Sequence, residues 1–170
     1  YPQVEFKFKQ QGKVVFFYPA EENLLERAKK VLEAKELYSA EKHFQNHSLE
    51  IVYSSPHVTL GTSKQIWIFV ENRWVNDRTI QAAVMEAYRS LLMHGEYPYA
   101  VIKLKVPQGT VDVNIHPTKS QVKFTDSSFI FKFVHNSMRA ELETAPWLGT
   151  MDRQGPVMPA FSAPAPNMTF

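Results

Sequence analysis

The sequence predicts an α/β domain of the α+β kind, a sandwich in which helices pack on a mixed, mostly antiparallel sheet. Two observations carry this. Period-two alternation and short continuous apolar runs recur from residue 3 to residue 124, as strands require. Three amphipathic helical patterns fall between them in the order β-β-α-β-β-α-β-β-(β)-α, which pairs neighbouring strands rather than alternating strand with helix.

Residues 3–9 place Val4, Phe6 and Phe8 on one face and Glu5, Lys7 and Lys9 on the other. A Gly12-containing connection then leads into the apolar run 14–18, so the start reads as a hairpin that Pro19 ends. Asn23 with Glu26 forms a capping-box pattern. Leu24, Leu25, Ala28, Val31 and Leu32 share one face of a helix over 23–34. Residues 35–47 fit no single pattern. Residues 49–53 read as a strand broken at Ser54-Ser55-Pro56, and Gly61-Thr62 marks another turn. Residues 65–70 (QIWIFV) are apolar almost throughout, as in a strand covered on both faces, and Asn72 suits a left-handed turn. Asp77 caps a second helix whose face is Ile80, Ala83, Val84, Ala87, Tyr88 and Leu91, with Gly95 placed to end it. Residues 99–106 alternate with Ala100, Ile102, Leu104 and Val106 inward. Asp126 caps a last helix over 127–143 that buries Ile130, Phe133, Val134, Met138 and Leu142. Five prolines without period after residue 145 read as an extended, largely disordered linker over 145–170, leaving 1–144 as the folded domain.

Length and composition bound the function. The chain has 170 residues, 44% hydrophobic and 21% charged, enough for one domain with a real core. A net charge of +2 is too small to demand a polyanion, so nucleic-acid contact requires local clustering. With no cysteine, a disulfide scaffold and a Cys-ligated zinc site are excluded. No apolar run approaches the ~20 residues of a membrane helix. The start, Tyr1-Pro2-Gln3, has neither a signal-peptide pattern nor an initiator Met, and reads as a piece of something longer.

No complete catalytic constellation is present. His43 and His47 are four apart in HFQNH, a spacing that suits metal binding on a helix, but no third ligand accompanies them and two surface histidines are the better reading. The pointed stretch is VDVNIHPTKSQVKF, residues 111–124. Val111, Val113 and Ile115 alternate with Asp112, Asn114 and His116 as in a half-buried strand. Pro117 stops the ladder, Thr118 and Lys119 form a tight loop, and 121–124 reads as a short return strand. Lys119 is thus a single cation at the tip of a stiff unit, suited to meeting a phosphate, with the polar face Asp112, Asn114, His116 available to fix the loop. Arg78 stands in the first turn of the second helix, where it opposes the helix dipole; free N–H groups and an arginine together make a phosphate site, unless Arg78 only pairs with Asp77 or Glu71. Arg73 adds to the same positive patch. Of the aromatics, Trp67 and Phe69 read as core and Trp74 as the exposed one.

Three stretches resemble one family. VDVNIHPTKSQVKF resembles the signature of the MutL family of DNA mismatch-repair proteins. FVENRWVNDRTI (residues 69–80) is similar to the strand–turn–helix that precedes it, and residues 1–32 to the beginning of the same second domain. The resemblance implies the ribosomal-protein-S5-domain-2-like fold called the transducer, which in the family follows an N-terminal ATPase domain whose motifs do not occur here. It implies ATP and Mg²⁺ as cofactors of the full-length ATPase and no catalysis by this piece alone. It further implies DNA, a MutS-type mismatch-recognition protein and a second copy in a homodimer as partners. The compartment would be the bacterial cytoplasm at the nucleoid, or the nucleus in a eukaryote. By position, Lys119 matches the lysine that contacts the γ-phosphate, supported by His116, Pro117 and Thr118, and Arg78 matches an arginine implicated in DNA binding. Glu71-Asn72 stands where the family has Asn-Gly, which sets a negative charge near that surface; Gln121 and Lys123 replace a usual Glu and Arg. Two rivals remain, a stand-alone S5-like nucleic-acid-binding module and a protein-recruitment platform.

Overall fold

The computed structural model describes residues 1–112, 120–144 and 147. The chain opens with β1 (Phe6–Gln10) and β2 (Lys13–Tyr18), an antiparallel hairpin, followed by α1 (Leu24–Leu32). Next come β3 (Leu37–Phe44), β4 (His47–Ser54), β5 (Thr59–Leu60), β6 (Ile66–Val70) and β7 (Arg73–Val75). Helix α2 (Arg78–Tyr88) leads through β8 (Tyr97–Pro98) to β9 (Ala100–Lys105), then β10 (Val111–Asp112), β11 (Lys123–Phe124) and α3 (Ser127–Thr144).

The main sheet has the order β3-β4-β9-β6-β7. Three of its pairings are antiparallel and one, β6 with β9, is parallel. The alternation seen in the sequence decides its two faces. Leu49 and Ile51 of β4, Ile68 and Val70 of β6, and Ile102 and Leu104 of β9 point to one side, where α2 and α3 lie. Val52, Val101, Trp67 and Phe69 point to the other, against Leu24, Ala28 and Leu32 of α1. β6 is therefore covered on both faces, as its unbroken apolar run requires. Each fully buried aliphatic side chain here contributes about 1.5–3 kcal/mol relative to exposure.

The helices start where their caps place them. Asn23 accepts from the Glu26 amide at 3.0 Å, whereas the Glu26 carboxylate turns to Lys29, so the capping box is half made. Asp126 accepts from Phe129 N–H at 2.8 Å. Asp77 accepts from Ile80 N–H at 2.8 Å, and burial holds its carboxyl above the usual carboxylate range against the opposing pull of the Ile80 and Thr79 amides.

Several expectations are corrected. Helix α2 ends at Tyr88, not near Gly95: the chain beyond tightens into turns in which the Arg89 amide donates to the Glu86 carbonyl and the Leu91 amide to the Tyr88 carbonyl, leaving Leu91 37% exposed, while the Tyr88 hydroxyl donates to the Ser54 carbonyl at 2.6 Å. Gly95 adopts a left-handed φ of 85° in the loop beyond. Residues 35–47 hold strand β3, whose alternation is masked by charged residues on an edge strand. His43 and His47 therefore sit on the two strands of a hairpin rather than on one helix. The His43 ring meets Glu41 at 3.2 Å and the His47 ring packs 4.7 Å from Phe129. Among the described residues no group of three or more His, Asp or Glu could hold a metal ion. The β1–β2 hairpin forms as its pattern predicts, but its apolar face meets no core: Phe6, Phe8 and Phe16 are each 44–47% exposed. The strand expected over 111–115 is described only at Val111–Asp112, and residues 113–119 and the linker over 145–170, Trp147 apart, lie outside the described residues.

Replacing Tyr88 by Phe leaves the Ser54 carbonyl without its hydroxyl donor, and denaturant unfolding should show a loss of about 1–3 kcal/mol. For Asp77 the raised folded-state pKa means that its charged form is disfavoured by folding. Its contribution is greatest below the unfolded value and declines as pH rises through the folded one. Asp77→Asn keeps the cap, so its stability relative to the parent should climb with pH across the carboxylate range. Asp77→Ala should follow the same pH dependence but lie about 1 kcal/mol below Asp77→Asn at every pH, for loss of the cap. A pH-independent difference between Asp77→Asn and the parent would contradict the burial effect.

Candidate functional site

Of the residues singled out by sequence, Arg73, Trp74 and Arg78 are described along the β7 edge of the sheet. The turn from β6 to β7 is a two-residue loop with Glu71 at φ 50° and Asn72 at φ 60°, both left-handed, which matches the strand twist of a tight hairpin. Asn72 tolerates this by its short polar side chain. Glu71 is held there because its amide donates to the Leu104 carbonyl at 3.0 Å and its carboxylate accepts from the Val106 amide at 2.7 Å. The negative charge feared for this surface is thus spent on the end of β9.

Arg73 opens β7 and pairs in register with Val70. The strand then runs back along β6, and Arg78 begins α2 beyond its far end. β7 therefore separates the two arginines, which do not form one compact cluster. Both are exposed. Among the described residues, neither takes part in an ion pair, and the two candidate acids are engaged elsewhere, Asp77 with the helix amides and Glu71 with Val106. Trp74 between them is 53% exposed on the sheet edge, while Trp67 and Phe69 pack against the α1 side, as expected from sequence. The first turn of α2 is not an open anion cradle, because Asp77 already takes its amides. Any phosphate contact there rests on the Arg78 guanidinium.

Lys119, His116, Pro117, Thr118 and Asn114 lie outside the described residues. Their flanks are described. Asp112 stands opposite Lys123 in the β10–β11 pair, an arrangement that favours opposite charges. Val122 and Phe124 are buried in the main core. The Ser120 carbonyl accepts from the Asn76 amide at 2.7 Å. The residue directly after Lys119 is thus bonded to the residue directly before the Asp77 cap, so Ser120 lies at the Arg78 end of the edge and not at the Arg73 end. Sequence reasoning proposed both cations but could not see this bond, because it joins segments distant in the chain through backbone atoms.

One buried charge escaped the sequence reading. Arg27 occupies a position on the inner face of α1 and is only 8% exposed. Its spacing of three from Leu24 was the available signal. No described helix is long and apolar enough to cross a membrane.

Comparison with known proteins agrees with this picture. Residues 29–143 match the family model described as "DNA mismatch repair protein, C-terminal domain". The DNA mismatch repair protein MutL of Dictyoglomus thermophilum is 34% identical over 146 residues, which span 84% of this chain and 25% of that protein. MutL of Geobacter sulfurreducens is 27% identical over 169 residues, 98% of this chain and 27% of that protein. The chain thus spans about a quarter of the length of these relatives. Among solved structures, the N-terminal domain of a DNA repair protein superposes with a TM-score of 0.65 at 14% identity, covering 83% of this chain and 48% of that one. The 43K ATPase domain of Thermus thermophilus gyrase B gives 0.51 at 15% identity, covering 84% and 44%. These likenesses carry the fold, a mixed α/β domain of the S5-like kind. The family match over residues 29–143, with identities spread along nearly the whole chain, places this chain in the MutL family of DNA mismatch-repair proteins.

Proposed function

We propose that residues 1–144 serve as the transducer of a longer mismatch-repair protein, relaying the nucleotide state of a separate N-terminal ATPase domain to DNA, and that residues 145–170 begin the connection to a further part. The observation that carries this reading is the Asn76–Ser120 hydrogen bond. Lys119 contacts the γ-phosphate of ATP held, with Mg²⁺, by the ATPase domain. A shift of the Lys119 segment is then passed through Ser120 to the start of α2, where Arg78 faces solvent. Such a link is what coupling needs: one element whose position both ligands bias.

Closure of a homodimer brings two such edges together, and Arg78 with Arg73 contacts DNA phosphates. Binding of this kind is sequence-independent and salt-sensitive. A MutS-type mismatch-recognition protein is the upstream partner, and the compartment is the bacterial cytoplasm at the nucleoid. A second reading, a stand-alone nucleic-acid-binding module, draws on Trp74 and the arginines lying exposed along one edge. It requires this chain alone to bind DNA tightly.

In the full-length protein Lys119→Ala should lower ATP turnover by about tenfold or more, as for loss of a charge aimed at a transferred phosphate, with the circular dichroism of this domain unchanged. Unaltered turnover would reduce the loop to a structural element. Arg78→Glu should weaken DNA binding by the full-length protein at low salt and reduce the slope of log K against log salt by about 1. Tight, salt-sensitive DNA binding by residues 1–170 alone would favour the stand-alone module instead.

A further inference from the structure

Strand β6 runs further than its outer neighbour. It spans Ile66–Val70, but β7 pairs with it only from Ile68 to Val70. A cleft opens where β7 falls short, lined by Lys64, Trp67, Trp74, Asn76 and Gln81. The coupling role uses none of these side chains. Trp74 stands opposite Phe69, and Trp67 comes two residues before Phe69, so strand alternation turns both indoles to one face of the sheet.

The two indoles are held differently. Nε1–H of Trp67 donates to the Lys64 carbonyl at 3.0 Å, which fixes that ring as a wall of the cleft. Trp74 is 53% exposed, a large flat apolar surface left in water at the edge of the sheet. Lys64 is exposed and takes part in no ion pair among the described residues. Gln81 lies one helical turn after Arg78, so the Arg78 guanidinium stands beside the α2 end of the cleft. The cleft thus sets aromatic faces between two cations, one from the turn before β6 and one from α2. The side-chain amides of Asn76 and Gln81 supply both donors and acceptors, as the edge of a nucleobase requires.

We propose that this cleft is a nucleobase site: a single-stranded stretch of DNA lays its phosphates across Arg78 and Lys64 and stacks one unpaired base on Trp74, with Trp67 as the wall behind it. The inference deepens the reading that the α2 edge meets DNA, and rests on it. Stacking selects the single strand. In a duplex the face of each base is covered by its neighbours, so a surface indole gains nothing from it, whereas the cations serve both forms through their phosphates. An indole accepts any base, in keeping with binding that ignores sequence. A second copy of this chain fits the cleft poorly, because a two-fold contact centred there would crowd Lys64 and Arg78 of both copies together.

The test is binding of the full-length protein to a fluorescein-labelled oligothymidylate and to a blunt duplex of the same length, followed by fluorescence anisotropy at low salt. Trp74→Ala should weaken oligothymidylate binding about tenfold and change duplex binding by less than about twofold. Trp74→Phe keeps a stacking ring and should retain most of the single-strand affinity. With bromodeoxyuridine in the oligonucleotide, ultraviolet cross-links in the parent protein should map to Trp74. Unchanged oligothymidylate affinity in Trp74→Ala overturns the proposal, as do equal losses on both DNAs and cross-links confined to other residues. A dimer that dissociates in Trp74→Ala while single-strand affinity is intact would assign the cleft to a second copy instead. Arg78→Glu separates this inference from the reading beneath it, since it should weaken both DNAs. If it does so while Trp74→Ala has no effect, the base site alone fails; if it weakens neither, the DNA role of the whole edge fails.

Discussion

The parallel pairing of β6 with β9 is the constraint on which the rest depends. Parallel neighbours cannot be joined by a tight turn; the chain must leave the sheet, cross a face and return. Here the crossing comprises β7, α2 and β8. It lays α2 over the face that Ile68, Val70, Ile102 and Leu104 make apolar, and it sets the start of α2 at the β7 edge. β9 then occupies the centre, so the chain that leaves it can return only outside the sheet. Where it is described again, the Ser120 carbonyl accepts from the Asn76 amide just past the end of β7. The geometry of the candidate site follows from one strand pairing two strands away.

What was legible in the sequence was whatever depends on local pattern. The caps at Asn23, Asp77 and Asp126 and the doubly covered strand over 66–70 were readable because a few neighbouring residues decide them. Where tertiary contacts decide, the pattern misled. The α2 stripe continues to Leu91, yet the backbone tightens into i→i−3 turns after Tyr88 and the helix stops there. β3 carries Glu41, Lys42 and His43, so its apolar half is too sparse to announce a strand; Lys42 is satisfied by Glu141 on α3, a pairing that no local window contains. In the candidate site the identities of Arg73, Arg78 and Lys119 were readable, but their separation along β7 and the backbone tie at Ser120 were not.

The same distinction explains the two kinds of cation in this fold. Arg73 and Arg78 stay hydrated, so leaving them unpaired costs little, and their charge is available at long range to a polyanion. Arg27 is buried and, among the described residues, donates to the carbonyls of Pro2 and Val4 and lies over the Phe6 ring. An exposed arginine is compatible with a ligand that comes and goes; a buried one is tied into the fold by the carbonyls it meets.

That difference assigns the two ends of the domain different duties. The hairpin end combines half-exposed rings with a buried guanidinium held by the Pro2 and Val4 carbonyls. The charged groups of the α2 edge gain nothing from drying, since Asp77 and Glu71 already satisfy the amides near them and the arginines are solvated. Coupling along such a charged, wet edge needs a sheet that moves as one body. The main sheet is that body, with Leu49, Ile102 and Leu104 fully buried on one face and Val52 on the other.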